Sequence, residues 1–202
     1  TDTWIAVIDW IKDFIQKLSG MYDTIFLDCN PSFSVYTQIA IASADRLILP
    51  VMADDSSRRA LQNAFSLIYG IKSPSSIYKE YSFSTKLLGA GRKLPQIHCI
   101  VKNRLTQYMG TSSAYHSVLL SIDNDVKQVM KSNPNIFSFS DLQDGIVNIR
   151  DFQTTGVVAF AEGKPFTELT TGMHHIFEKN TQISKEYLNK CNEAMDMLVK
   201  KF

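Results

Sequence analysis

Asp28 is the residue whose setting most suggests chemistry. It closes the apolar run Thr24-Ile25-Phe26-Leu27, and Cys29-Asn30-Pro31-Ser32 follow at once. Apolar runs of this kind mark strands buried on both faces of a parallel sheet. A carboxylate at the carboxyl end of such a strand faces the crevice where open α/β sheets hold ligands. Taken alone, Asp28 fits better as an acid capping the next helix. Cys29 fits either a reactive thiol or a small side chain buried at a strand end. The three cysteines, Cys29, Cys99 and Cys191, form no C-x-x-C pair. An odd number so widely spaced points to a reducing compartment and argues against zinc or a disulfide framework.

These residues need elements to position them. Trp4, Ile5, Ile8, Ile11, Phe14, Ile15 and Leu18 recur at helical spacing, with Gly20 as a stop. A strand is expected at 24–28 and a helix over 32–43, with Ser32 as its cap. "RLILPV" at 46–51 reads as a second strand, 56–69 as a helix ended by Gly70, and "QIHCIV" at 96–101 as a third strand. A helix over 112–130, a short strand at 145–149 and a closing helix over 172–202 complete the pattern. Strands alternating with helices predict an α/β fold, a three-layer, mostly parallel sheet with helices on both faces. The segment 71–95, rich in Ser, Lys, Tyr and Gly, breaks the rhythm and reads as a surface insertion within one domain spanning 1–202. A short helix is expected near 76–87. Gly89-x-Gly91 is no dinucleotide fingerprint, because no strand precedes it and the third Gly is missing.

Composition narrows the classes further. A chain of 202 residues with 45% hydrophobic and 20% charged residues is a globular protein. A net charge of +1 does not advertise nucleic acid, although a local patch can still bind it. No apolar run is long enough for a transmembrane helix. The chain opens Thr1-Asp2-Thr3 without a leader or an initiator Met, so it is expected to be a fragment and cytoplasmic.

"YDTIFLDCNPSFS…IASADRLILPV" resembles the ParA/MinD family of partitioning and positioning ATPases. The resemblance rests on Tyr22-Asp23, Ile25 to Asp28, Asn30-Pro31-Ser32, Ala44-Asp45, Leu47 to Leu49 and Pro50-Val51. Weaker likenesses lie in "IVKNRL" at 100–105 and "AEGKPF" at 161–166. The resemblance implies the deviant P-loop NTPase fold, ATP and Mg²⁺ as cofactors, and a catalytic role for Asp28 as the Walker B acid, holding Mg²⁺ through a water. Cys29, Asn30, Pro31 and Ser32 would form the switch II turn. Asn103 and Arg104 would meet the adenine, since an amide side chain offers a base edge both a donor and an acceptor. The family also implies a homodimer, non-specific DNA binding on the nucleoid and a ParB-like partner. Arg92, Lys93, Lys102, Arg104 and Arg150 are the candidate DNA-binding cations.

No G-x-x-x-x-G-K-[ST] loop occurs in the sequence, and Gly163-Lys164-Pro165 lacks both the hydroxyl and a proline amide. The family places its phosphate loop upstream of the Asp28 position. The chain is therefore expected to be the C-terminal part of an ATP hydrolase, inactive by itself. One alternative is a MinD-like membrane-positioning ATPase. Tyr187, Leu188, Cys191, Met195, Leu198, Val199 and Phe202 line one face of the last helix, with Lys190, Lys200 and Lys201 beside them, but a helix packed on the sheet explains the same stripe. A tyrosine autokinase would carry a tyrosine cluster near its end, where Tyr187 stands alone, and Cys29 lies too close to Asp28 for an iron–sulfur ligand of the nitrogenase branch. The alternative of another class is a non-catalytic ParA-like binding module.

Overall fold

The computed structural model describes residues 3–30, 32–106 and 114–202. Pro31, expected in the switch turn, lies outside them, as do residues 112 and 113 at the start of the expected helix.

Helix α1 (Thr3–Ile8) runs through Asp9 into α2 (Trp10–Lys17), and α3 (Val35–Ser43) leads to strand β1 (Arg46–Val51). The backbone bonds from Asp9 N–H to the Ile5 carbonyl and from Asp13 N–H to the Asp9 carbonyl keep α1 and α2 nearly continuous. The cap of α3 is Ser34 rather than Ser32. Helix α4 (Asp55–Tyr69) starts at Asp54, whose carboxylate accepts from Ser57 N–H at 2.6 Å, and ends at Gly70 with φ 68°. Glycine meets that left-handed turn without the Cβ penalty.

The strand expected at 24–28 does not form. Residues 24–30 adopt no regular secondary structure, and Ile25 and Phe26 are 37% and 65% exposed. A strand exists only by pairing, and among the described residues this apolar run pairs with no other strand.

The segment 71–95 is a surface insertion only in its first half. Helix α5 (Ser76–Glu80) leaves Ile77, Tyr78 and, just beyond it, Tyr81 exposed. Helix α6 (Phe83–Gly89) instead buries Phe83 and Leu87 against Ile8, Ile39 and Ile68. Arg92 just beyond it holds Asp9 of the first helix pair with a bidentate fork.

Strand β2 (Gln96–Leu105) is the centre of the sheet. It pairs in parallel with β1 on one side and with β3 (Ile146–Arg150) on the other, giving the order β1-β2-β3. Helix α7 (Ala114–Ser132) follows β2, and the short α8 (Leu142–Gly145) delivers β3. Both faces of the sheet are covered. Val51, Ile97 and Ile100 pack with Leu61 and Phe65 of α4 and Ile122 and Val126 of α7. Cys99, Val101, Val147 and Ile149 pack on the opposite face with Ala194 of α10 (Lys185–Val199). This is the three-layer α/β arrangement that alternating strands and helices predict.

Helix α9 (Gln153–Glu162) lies between β3 and a hairpin that the sequence does not announce. The closing helix expected from 172 begins only at Lys185. Residues 172–183 form antiparallel strands β4 (Gly172–Ile176) and β5 (Lys179–Ile183). Phe177 turns the hairpin with φ 54° and no glycine.

His174 of β4 fastens this hairpin to α9. Its Nδ1 lies 2.6 Å from a Glu162 oxygen and its Nε2 2.8 Å from the Thr170 carbonyl. Both partners accept, so both ring nitrogens donate only in the imidazolium. The Glu162 hydrogen bond and then the Thr170 carbonyl hold the His174 pKa above its ordinary 6.5. Its stabilisation is complete below pH 6.5 and is lost as pH rises through the elevated value. Lys164 and then His174 lower Glu162 below its ordinary 4.5, so that share is complete above pH 4.5 and lost as pH falls through the lowered value. Thermal stability is expected to decline from neutral to alkaline pH, and His174→Gln should flatten that limb. An unchanged alkaline limb in the variant would remove His174 from this role.

Candidate functional site

Asp28 lines a groove of about 1090 Å³. It is lined by the irregular segment from Tyr22 to Cys29, by Arg46, Leu47, Ile48 and Pro50 of β1, and by Ala40 and Ile41 of α3 with Ala44 just beyond it. Among the described residues, the edge of β1 that faces away from β2 has no strand partner. Phe202 reaches the same groove, its ring 5.4 Å from Phe26 and 5.7 Å from His98.

His98 organises that corner of the sheet. It is the extra residue where the β1–β2 register shifts, between the pairs Leu47–Ile97 and Ile48–Cys99. Its Nε2 donates to the Lys201 carbonyl at 2.6 Å, which leaves Nδ1 to accept from Arg46 at 2.9 Å and Ser138 at 2.7 Å. The sequence offered no signal for this histidine, because a bulge is invisible before strand pairing is known.

Asp28 is exposed. Burial and then the Asp28 charge push the Cys29 thiol above its usual range, so Cys29 is not poised as a thiolate. Beyond it, the Asn30 side-chain oxygen accepts from Ser32 N–H at 3.0 Å. The Thr37 hydroxyl donates to the Ser32 carbonyl at 2.7 Å and to the Asn30 carbonyl at 3.3 Å. The turn expected to act as switch II is thus tied to the first turn of α3.

Asn103 and Arg104 form a bulge at the carboxyl end of β2, where the pairing with β3 steps from Lys102–Asn148 to Leu105–Arg150. The Asn103 side-chain oxygen accepts from Arg104 N–H at 2.9 Å, and Arg104 takes φ 56°. Its guanidinium is 3.9 Å from Asp151. Neither residue lines the groove that holds Asp28 and Cys29.

The candidate DNA-binding cations divide. Lys93 is exposed and the Arg104 side chain is 67% exposed. Lys102 is buried in an ion pair with Asp123, Arg92 is engaged by Asp9, and Arg150 stacks 5.0 Å over the Tyr187 ring. These three do internal work, and the structure does not bring the five together as one surface patch. Likewise Leu188, Cys191 and Ala194 of α10 are buried against the rest of the fold, and the Tyr187 hydroxyl donates to the Asp151 carbonyl at 2.7 Å. The stripe faces protein at Leu188 and Cys191, whereas Val199 and Phe202 at its far end are 65% and 46% exposed.

The donor set can be weighed against Mg²⁺ and a nucleotide. Among the described residues, no cluster of His, Cys, Asp and Glu could hold a metal ion. Asp28 supplies one carboxylate, and no G-x-x-x-x-G-K-[ST] loop occurs in the 202 residues to hold phosphate. These residues do not make a complete Mg²⁺–nucleotide site.

A three-stranded parallel sheet covered by helices, with an acid beside its open edge, is consistent with the P-loop NTPase-like class of α/β proteins. In agreement, the family described as an AAA domain matches residues 5–78, a family of that class that includes ParA/MinD-type ATPases. The matched stretch runs from α1 into α5 and contains the groove wall, Asp28 and β1. No curated protein and no solved structure matches the chain. No helix among the described residues is long and apolar enough to cross a membrane.

Proposed function

We propose that this chain contributes the Asp28 side of the nucleotide site in a ParA-like partitioning ATPase, with the phosphate-binding loop supplied by polypeptide outside these 202 residues. The observation that carries the reading is a coincidence of position. The family match over 5–78 contains the whole 22–51 resemblance, and its acid lines a groove of about 1090 Å³. In this reading the assembled protein works as an ATP-dependent dimer on DNA and answers to a ParB-like partner.

The test uses a protein that carries both this chain and a phosphate-binding loop. Asp28→Asn should lower ATP turnover by roughly a hundredfold while ATP affinity changes little, because the carboxylate acts on the metal rather than on the base. Unchanged turnover would remove Asp28 from the site. For DNA, the exposed pair Lys93 and Arg104 is the remaining candidate contact. Reversing both charges should weaken binding to all sequences alike and flatten its salt dependence. A loss confined to one sequence would place the interface elsewhere.

A further inference from the structure

We propose that a cleft beside the last turns of α7 is a docking site for an acidic amphipathic helix of a partner protein. The cleft, of about 440 Å³, falls within the roughly 300–1,000 Å³ of ligand sites. It shares no lining residue with the groove that holds Asp28, so it goes beyond the ATPase reading. Helix α7 leaves the carboxyl end of β2, and the chain after it returns to the start of β2, where Phe137 bridges to Ile97. Residues 139–142 of the cleft then lead into β3. The cleft therefore lies toward the amino ends of the strands, away from the carboxyl ends where open α/β sheets hold their ligands.

Its floor is apolar and its rim cationic. Leu142 is 4% exposed, Met130 and Phe139 are half-buried, and Lys127, Lys131 and Pro134 are exposed. Met130 and Phe139 pack on the core cluster that includes Leu142, Ile122 and Val126. The Phe139 ring lies so close to Gly145 that a Cβ there would come within 2.2 Å of it, and it meets the Phe137 ring at 5.3 Å. A floor already in place costs a ligand little ordering on binding.

Lys127 and Lys131 stand one helical turn apart, and like charges at that spacing repel. The two acids of α7 are engaged elsewhere, Asp123 by Lys102 and Asp125 by Arg58 and Gln62. The one carboxylate that lines the cleft, Asp141, accepts from Gln143 N–H at 2.9 Å as the cap of α8. The rim is thus net positive and complements two carboxylates one turn apart on a facing helix. None of the lining residues belongs to a strand, so an extended peptide finds no main-chain ladder to join. Recognition falls to side chains, the mode in which a helix lays its apolar face into a groove. Aliphatic anchors one turn apart would fill the floor over Met130, Phe139 and Leu142, and glutamates beside them would reach the two ammonium groups. Nucleic acid fits less well, since two cations beside an acid make no track for a phosphate backbone.

The probe is a fluorescein-labelled helical peptide with leucine at i, i+3, i+4 and i+7 and glutamate at most other positions, titrated into the 202-residue chain. Binding read by polarisation should saturate and weaken with added salt, and amide exchange should slow over 127–142 but not over 22–29. Replacing the peptide's glutamates by lysine should weaken binding by at least about tenfold. The double variant Lys127→Glu with Lys131→Glu should do the same to the glutamate peptide, melt at the wild-type temperature because both positions are exposed, and prefer the lysine peptide. Equal affinity of the wild-type chain for the two peptides, a comparison that needs no variant, would overturn the proposal. So would unchanged affinity in the double variant. A concentration-dependent dimer that the double variant abolishes without peptide would overturn it by assigning the cleft to a second copy. Displacement of the peptide by a DNA duplex at equal concentration would overturn it in favour of nucleic acid.

Discussion

Titrated with ATP and Mg²⁺, the 202-residue chain is expected to show no micromolar binding and no turnover. A lone carboxylate can share in holding a metal only when a phosphate is fixed opposite it. That fixing needs converging backbone amides and a lysine at the start of a helix, and the sequence contains no such loop. What remains is a single exposed acid, Asp28, and a bulge at Asn103 whose side-chain oxygen is already bonded to Arg104 N–H. An edge contact to adenine from that bulge would not offset the several kcal/mol, roughly 4 or more, that immobilising a ligand costs. Isothermal titration decides the matter. Micromolar affinity in a chain confirmed by mass would mean that these residues hold phosphate by a route the groove does not reveal.

The second large effect concerns the ion pair between Lys102 of β2 and Asp123 of α7. Lys102 is 7% exposed, and its ammonium lies 2.7 Å from the carboxylate. Removing one partner of a buried pair leaves the other charge uncompensated, which costs about 3–5 kcal/mol. Lys102→Ala should therefore lower the unfolding free energy measured in urea by about that amount. The double replacement Lys102→Met with Asp123→Leu should recover most of the loss, because an apolar pair of similar volume avoids the desolvation cost altogether. If the double variant is as unstable as the single one, the pair is holding the strand–helix geometry in a way that apolar packing cannot replace. Lys102 was a candidate for DNA contact on sequence grounds. Burial beneath α7 is what the sequence could not show, since a lysine at a strand end looks the same facing water or a partner acid.

The sheet was legible where apolar runs find neighbours. "RLILPV" and "QIHCIV" became β1 and the start of β2, and "GIVNI" became β3 shifted by one residue. The run ending in Asp28 carries the same signal and forms no strand, because pattern reports a tendency to be buried in a sheet and not the presence of a partner. The resemblance around it was legible for the same local reason, and a family match falls on it. The hairpin at 172–183 was misread as helix. Its turn uses Phe177-Glu178, with none of the Asn-Gly or Asp-Gly chemistry that announces hairpins. The 71–95 segment was read by composition, which describes α5 well and misses that Phe83 and Leu87 return to the core. The groove itself was not readable at all, since its two walls meet only through the packing of α3 beneath them.

Both tryptophans of the chain, Trp4 and Trp10, sit on the first helix pair. Trp4 packs edge-on against Phe83 at 6.5 Å with the Lys86 ammonium 5.9 Å from its ring, whereas Trp10 is 65% exposed. Intrinsic tryptophan fluorescence is therefore a local gauge, blind to the sheet. A quencher such as acrylamide should reach Trp10 far more readily than Trp4, and the blue component of the emission reports whether α1 is seated on α6. An unfolding curve followed by this emission tracks the release of that helix pair, and far-ultraviolet circular dichroism tracks the rest. The two curves coincide only if the helix pair and the sheet melt as one cooperative unit.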